Sequence, residues 1–135
     1  MTKFKFIHEY ELKASPKVLF PYLSSASGLQ QWFATKVNHK DDHCLDFVWD
    51  GESHVAKVTS LRTNKSVRFD FERSTDQNGE ANYLEFKIEV SELTNSTFLK
   101  VIDYSSNSDE DDLMDLWDGL IDKLKEIVGS WLAFV

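Results

Sequence analysis

The sequence predicts an α+β fold in which a curved antiparallel sheet of about 6–7 strands wraps around one long C-terminal helix. A series of short runs alternates apolar and polar residues, which is typical of strands with one buried and one wetted face. Residues 109–135 instead place apolar side chains at the i, i+3, i+4 and i+7 spacing of an amphipathic helix. A long helix laid on the concave face of such a sheet would cover its apolar side.

The first predicted strand covers residues 3–13, where aromatic and charged side chains alternate. Ser15-Pro16 marks the start of a helix, because serine is a good N-cap and proline is tolerated in the first turn. This helix is predicted over residues 17–24. Residues 25–28 interrupt it, and a second short helix is predicted over residues 29–35.

Six further strands are predicted before the long helix, with turn signals such as Gly51 and residues 76–79 between them. These strands cover residues 37–40, 44–50, 53–62, 66–73, 83–91 and 97–104. The long helix follows and opens with the acidic run 109–112, which complements the positive end of a helix dipole. Because no linker, repeat or low-complexity tract interrupts this order, we expect a single domain over residues 1–135.

Composition excludes several classes of function. The net charge is −8 and the basic residues are scattered, which disfavours nucleic acid as a partner. Cys44 is the only cysteine, so no internal disulfide can form and a reducing compartment is favoured. The sequence has neither a signal-peptide pattern nor an apolar run long enough for a transmembrane segment. A cytoplasmic location is therefore expected.

Large apolar side chains predicted to face inward would line the space between the long helix and the sheet. Such a hollow is typical of small-ligand sites, but the same rings could also fill it themselves, and the sequence leaves both interpretations open. The candidate cavity residues are Trp32, Phe33, Phe47, Trp49, Phe69, Phe71, Phe86, Ile88, Trp117, Leu120, Ile121 and Leu124.

Three polar residues, His8, Tyr10 and Asp103, share the inward side of their strands and could orient a ligand or transfer protons. No Ser-His-Asp or Cys-His arrangement can be argued, so we assign no catalytic residue and no cofactor. The histidines and aspartates of residues 39–43 lack the spacing of a zinc motif, and no metal site is predicted.

The chain ends in apolar residues that one face of a helix cannot bury together. Trp131, Leu132 and Phe134 either fold back over the domain or contact a second subunit. Because exposed apolar patches usually mark interfaces, we predict a homodimer through this tail as the hypothesis to test.

Four stretches in order carry a resemblance to a known superfamily: Tyr10–Pro16, Gly28–Phe33, the central hairpins with Phe47–Gly51 and Val67–Phe69, and Leu116–Ser130. The chain resembles the START-like, or SRPBCC, domains, which include the birch pollen allergen and polyketide cyclases. Within them it is most similar to the branch of activator of heat-shock-protein-90 ATPase homologues, and there to short bacterial START-like proteins. The resemblance covers essentially the whole chain.

The resemblance implies the helix-grip fold and three possible functions, since this fold hosts several. Our leading hypothesis is a non-enzymatic domain that binds a small apolar or amphipathic, lipid-like ligand between sheet and helix. The second is a protein-interaction or co-chaperone module like the heat-shock-protein-90 ATPase activators. The third is a cyclase-type or hydrolase-type enzyme.

Overall fold

A computed structural model describes residues 4–41, 43–71, 82–105 and 110–132. Over these residues the chain forms seven strands and three helices, with two short helices after the first strand and one long helix at the end. In chain order they are β1 Phe4–Leu12, α1 Pro16–Ser24, α2 Ala26–Gln30, β2 Lys36–Asp41, β3 Cys44–Trp49, β4 Glu52–Arg62, β5 Ser66–Phe71, β6 Tyr83–Val90, β7 Thr97–Ser105 and α3 Glu110–Leu132.

The strands form one curved antiparallel sheet in the order β1-β7-β6-β5-β4-β3-β2. Consecutive strands from β2 to β7 pair as neighbours, and β1 pairs with β7 so that Phe6 lies opposite Asp103. Because all neighbouring strands are antiparallel, β3, β5 and β7 end at the same end of the sheet at which β4 and β6 start. The predicted helix-grip fold, with α3 packed on the inward face of the sheet, is confirmed.

The turn between β3 and β4 lies at this end of the sheet, and its conformation follows from the local sequence. Trp49 pairs with Glu52, so Asp50 and Gly51 alone form the loop. Both residues have positive φ, 51° and 79°, as a type I′ hairpin turn requires. Asp-Gly is a preferred pair for this turn, because aspartate tolerates the left-handed region and glycine has no Cβ to clash.

The second short helix lies earlier than predicted. The prediction over residues 29–35 was wrong: α2 covers Ala26–Gln30, and residues 31–33 form a turn. Ser25 follows the last residue of α1 and also caps α2, where its hydroxyl accepts the N–H of Gly28 at 3.0 Å. One serine therefore serves two helices, and the segment predicted as a break is where the second helix starts.

The long helix buries one face over most of its length. Leu116 has the apolar spacing predicted for this buried face, yet 53% of its surface is exposed. Among the α3 side chains that the structure describes, up to residue 129, the buried apolar ones are Leu113, Trp117, Ile121, Leu124 and Val128. Leu116 stands at the margin of this face, beside the pocket described below.

Candidate functional site

Aromatic rings fill the centre of the fold. The Trp117 ring of α3 stacks on Phe33 with centroids 5.7 Å apart and meets Phe86 of β6 edge to face at 5.9 Å. Phe47 meets Phe69 edge to face at 5.4 Å on the sheet itself. These are the geometries that aromatic quadrupoles favour. Helix and sheet thus contact each other directly at Trp117, so at this point of α3 the rings themselves fill the space between them.

The indole N–H groups that accompany these rings are hydrogen-bonded, as buried polar groups must be. Trp32 Nε1 donates to the carbonyl oxygen of Tyr22 at 2.7 Å, and Trp49 Nε1 donates to the carbonyl oxygen of Phe33 at 2.8 Å. The first bond holds the turn after α2 against α1, and the second holds it against β3. The second bond lies at the end of the sheet where β3, β5 and β7 end. This end is called the open end of the helix-grip fold below.

A pocket of about 490 Å³ lies at the open end, between the first half of α3 and the ends of β3, β5 and β7. This volume falls within the roughly 300–1,000 Å³ that is typical of small-molecule sites. The lining residues are Phe33, Trp49, Asp50, Phe71, Leu84, Asp103, Ser105, Leu113, Leu116, Trp117 and Leu120.

The structure divides the predicted cavity residues into two groups. The first group lines the pocket: Phe33, Trp49, Phe71, Trp117 and Leu120. The second group packs in the core away from the pocket lining: Trp32, Phe47, Phe69, Phe86, Ile88, Ile121 and Leu124.

Sequence reasoning missed five lining residues. Leu84 and Leu113 carried a signal, because both stand on the inward side of their own elements by the same alternation and helical spacing that selected the others. Ser105 lies two residues beyond Asp103 and shares its inward side. Asp50 has no such signal, since a turn residue becomes part of a pocket only through tertiary structure. Leu116 has the apolar spacing of the long helix, but the spacing does not indicate that it lines a pocket.

Asp103 is the polar centre of the pocket. Its carboxylate oxygen Oδ2 accepts the indole N–H of Trp117 at 3.0 Å, and the Ser105 side chain supplies a second hydrogen bond. Burial raises the pKa of Asp103 above its ordinary value, and this effect exceeds the opposing effect of the two hydrogen bonds. A half-buried acid therefore faces an apolar space.

The other two predicted polar residues do not line the pocket. Tyr10 is buried, and its hydroxyl donates to Oδ1 of Asp118 on α3 at 2.9 Å. Burial, followed by the neighbouring carboxylate of Asp118, raises the pKa of the Tyr10 hydroxyl. The His8 ring packs edge-on against Tyr10, with centroids 4.7 Å apart, and is stacked with Phe6 at 6.3 Å. Tyr10 thus ties β1 to α3.

The predicted interface falls where the structure gives no side-chain description. The side chains of Trp131 and Leu132, and the whole of Phe134, lie outside the described residues. Within the described ranges, no helix is long and apolar enough to cross a bilayer. Nor do those ranges contain a group of three or more His, Cys, Asp or Glu residues that could hold a metal ion.

A family model described as a START-like superfamily domain matches residues 1–130. The chain belongs to the START-like superfamily. The resemblance predicted from the four stretches is confirmed, and the solved structures similar to this START-like chain include an Aha1 protein. None of the curated proteins matches the chain.

Solved bacterial structures share the fold over nearly the whole chain. The Aha1 dimer from Colwellia psychrerythraea is 23% identical, with a TM-score of 0.74, over 93% of this chain and 96% of that one. A Bacteroides fragilis protein is 34% identical, with a TM-score of 0.64, over 94% and 92%. A Bacillus halodurans protein is 15% identical, with a TM-score of 0.73, over 95% and 99%. The first and third of these likenesses, each under 25% identity, concern fold alone.

Proposed function

We propose that this START-like chain binds a small apolar or amphipathic molecule in the pocket at the open end of the grip. The observation that carries the proposal is the pocket itself, with a volume of about 490 Å³ and eight apolar residues among its eleven lining residues. A ligand of that size would bury apolar area worth roughly 25 cal/mol per Å².

The surroundings of the pocket support this proposal. Trp49 and Trp117 are each held by a hydrogen bond, so two walls are formed before any ligand arrives. Leu116 lies on the pocket lining with 53% of its surface exposed, and a bound molecule would cover it. Preformed walls reduce the entropy that binding must overcome.

The enzyme and co-chaperone hypotheses receive less support. Of the three polar residues that could transfer protons, His8, Tyr10 and Asp103, only Asp103 lines the pocket. The similarity to the Colwellia Aha1 protein concerns the fold and carries no activity to this chain.

A homodimer remains a second proposal, favoured by the fact that the Colwellia relative was solved as a dimer. We place the contact at Trp131, Leu132 and Phe134. Light scattering should give twice the 15.6 kDa chain mass for the intact protein and the single mass after removal of residues 131–135. Equal monomer masses for both forms would remove this proposal.

The pocket proposal is tested by filling the pocket with a larger side chain. Leu120 and Ile127 are both half-buried on α3 and pack against the core, but only Leu120 lines the pocket. We expect Leu120→Trp to weaken binding of a neutral probe, naphthalenemethanol, by about tenfold or more, because the indole takes the space of the ligand. Ile127→Trp is the matched control and should leave the affinity unchanged.

Isothermal calorimetry gives both affinities, and native mass spectrometry of the purified protein shows any small molecule it retains. Absence of binding to the unmodified chain, or equal weakening by the two substitutions, would contradict the proposal.

A further inference from the structure

We infer that the pocket selects amphipathic amines, molecules with an apolar body and a positively charged nitrogen, over fatty-acid-like carboxylates. This inference rests on the proposed function, because it names the ligand class of the same pocket. Three features of the lining carry it: its charge, the hydrogen-bonding state of Asp103 and its aromatic walls.

The charge of the lining has one sign. Its polar residues are Asp50, Asp103 and Ser105, and none of the described lining residues is a lysine, arginine or histidine. A ligand carboxylate placed among these groups would meet like charges, which is unfavourable. A ligand ammonium would meet opposite charges.

The Asp103 carboxylate can accept more hydrogen bonds than it receives within the protein. An ionised carboxylate offers about four lone-pair positions, and Trp117 and Ser105 account for two hydrogen bonds. Neither donor is charged, and no ion pair of Asp103 occurs among the described residues. A ligand ammonium would supply the missing counter-charge through a charge-assisted hydrogen bond, which is stronger than a neutral one.

The apolar walls also suit a cation. Phe33, Trp49, Phe71 and Trp117 all contribute rings to the lining. Phe33 stands edge-on to Trp49 at 5.1 Å and is stacked on Trp117 at 5.7 Å, so these three rings form one continuous aromatic wall. Ring faces attract cations, and the attraction grows when the cation is removed from water.

Three probes with the same ring and different head groups test the inference by calorimetry at neutral pH: naphthylmethylamine, naphthalenemethanol and naphthoic acid. We expect the amine to bind at least about tenfold more tightly than the alcohol, and the acid to bind most weakly. Higher salt should reduce the preference only partly, since a half-buried pair is less screened than a surface one.

Asp103→Asn should abolish the preference for the amine over the alcohol, and an unchanged circular dichroism spectrum would show that the variant is folded. Asp46→Asn removes the same charge from β3 outside the pocket and is the matched control. It should keep the full preference for the amine.

The outcomes separate the two proposals. If the alcohol binds but the amine binds no more tightly, or if the acid is preferred, the inference about amines is wrong and the pocket proposal stands. If the unmodified protein binds none of the three probes, both are wrong. An amine preference that persists in Asp103→Asn would overturn the role assigned to Asp103.

Discussion

At the scale of single residues, Asp103 is notable because it places a carboxylate on the inward, apolar side of β7. Along β7 the inward side runs through Leu99 and Val101, both fully buried, and then reaches a carboxylate. Alternation alone predicts that this position faces inward. The hydrogen bond between this carboxylate and the Trp117 indole depends on the distance between α3 and β7. No single stretch of sequence encodes that distance.

The raised pKa of Asp103 leads to a prediction about stability and pH. Burial raises the pKa of the Asp103 carboxyl group in the folded protein above its ordinary value of 3.8. The folded state therefore binds the Asp103 proton more tightly than the unfolded state does. The contribution of Asp103 to stability is therefore greatest below pH 3.8 and is lost as the pH rises through the higher folded pKa. The charged neighbour on the same pocket lining is Asp50, and Trp117 and Ser105 provide the hydrogen bonds.

We expect the free energy of unfolding of Asp103→Asn, minus that of the unmodified protein, to increase with pH across this window and then level off. Asparagine cannot titrate, and its amide oxygen still accepts the Trp117 N–H. Urea unfolding from pH 4 to pH 7 measures the difference, with Asp50→Asn as the control for loss of a pocket carboxylate. A difference that falls with pH would show that Asp103 is stabilised, not destabilised, as an ion.

At the scale of elements, the strands and the presence of two short helices were predictable, but the position of the second short helix was not. The period-two pattern located all seven strands to within a few residues, because each strand buries one face in the same core. The segment of residues 29–35 carries bulky apolar side chains that suggest a short helix, yet these residues mostly follow α2. The competing signal was the cap at Ser25, whose single hydroxyl starts the helix earlier.

The close packing of α1 and α2 predicts that Gly28 cannot be replaced. A Cβ at this position would lie 2.1 Å from the carbonyl oxygen of Pro21, which is backbone and cannot move aside cheaply. We expect Gly28→Ala to lower the free energy of unfolding by about 1–3 kcal/mol, as overpacking does.

Gly119 is the matched control within α3, because a Cβ there meets nothing within 4 Å. Gly119→Ala should raise the free energy of unfolding by up to about 1 kcal/mol through higher helix propensity. Urea unfolding curves give both values. Equal effects of the two substitutions would contradict the packing described for α1 and α2.

At the scale of the whole molecule, the sequence predicted the fold more completely than the site. Alternating strands, a capped helix start and a long amphipathic helix all indicate the same architecture, and agreement of this kind specifies a fold. The site depends on how far the inward rings reach. Alternation selects Phe47 and Phe71 equally, but Phe47 packs within the ring cluster while Phe71 borders open space.

At this scale, the pocket proposal puts the ligand at the open end of the fold and not along the whole of α3. The indole N–H groups report on it directly, because Trp49 and Trp117 line the pocket and Trp32 is buried outside it. In a ¹H–¹⁵N NMR titration with naphthylmethylamine, we predict saturable shifts of the Trp49 and Trp117 indole signals and a stationary Trp32 signal. A titration that leaves Trp49 and Trp117 unmoved, or moves Trp32 as much as either, would contradict the claim.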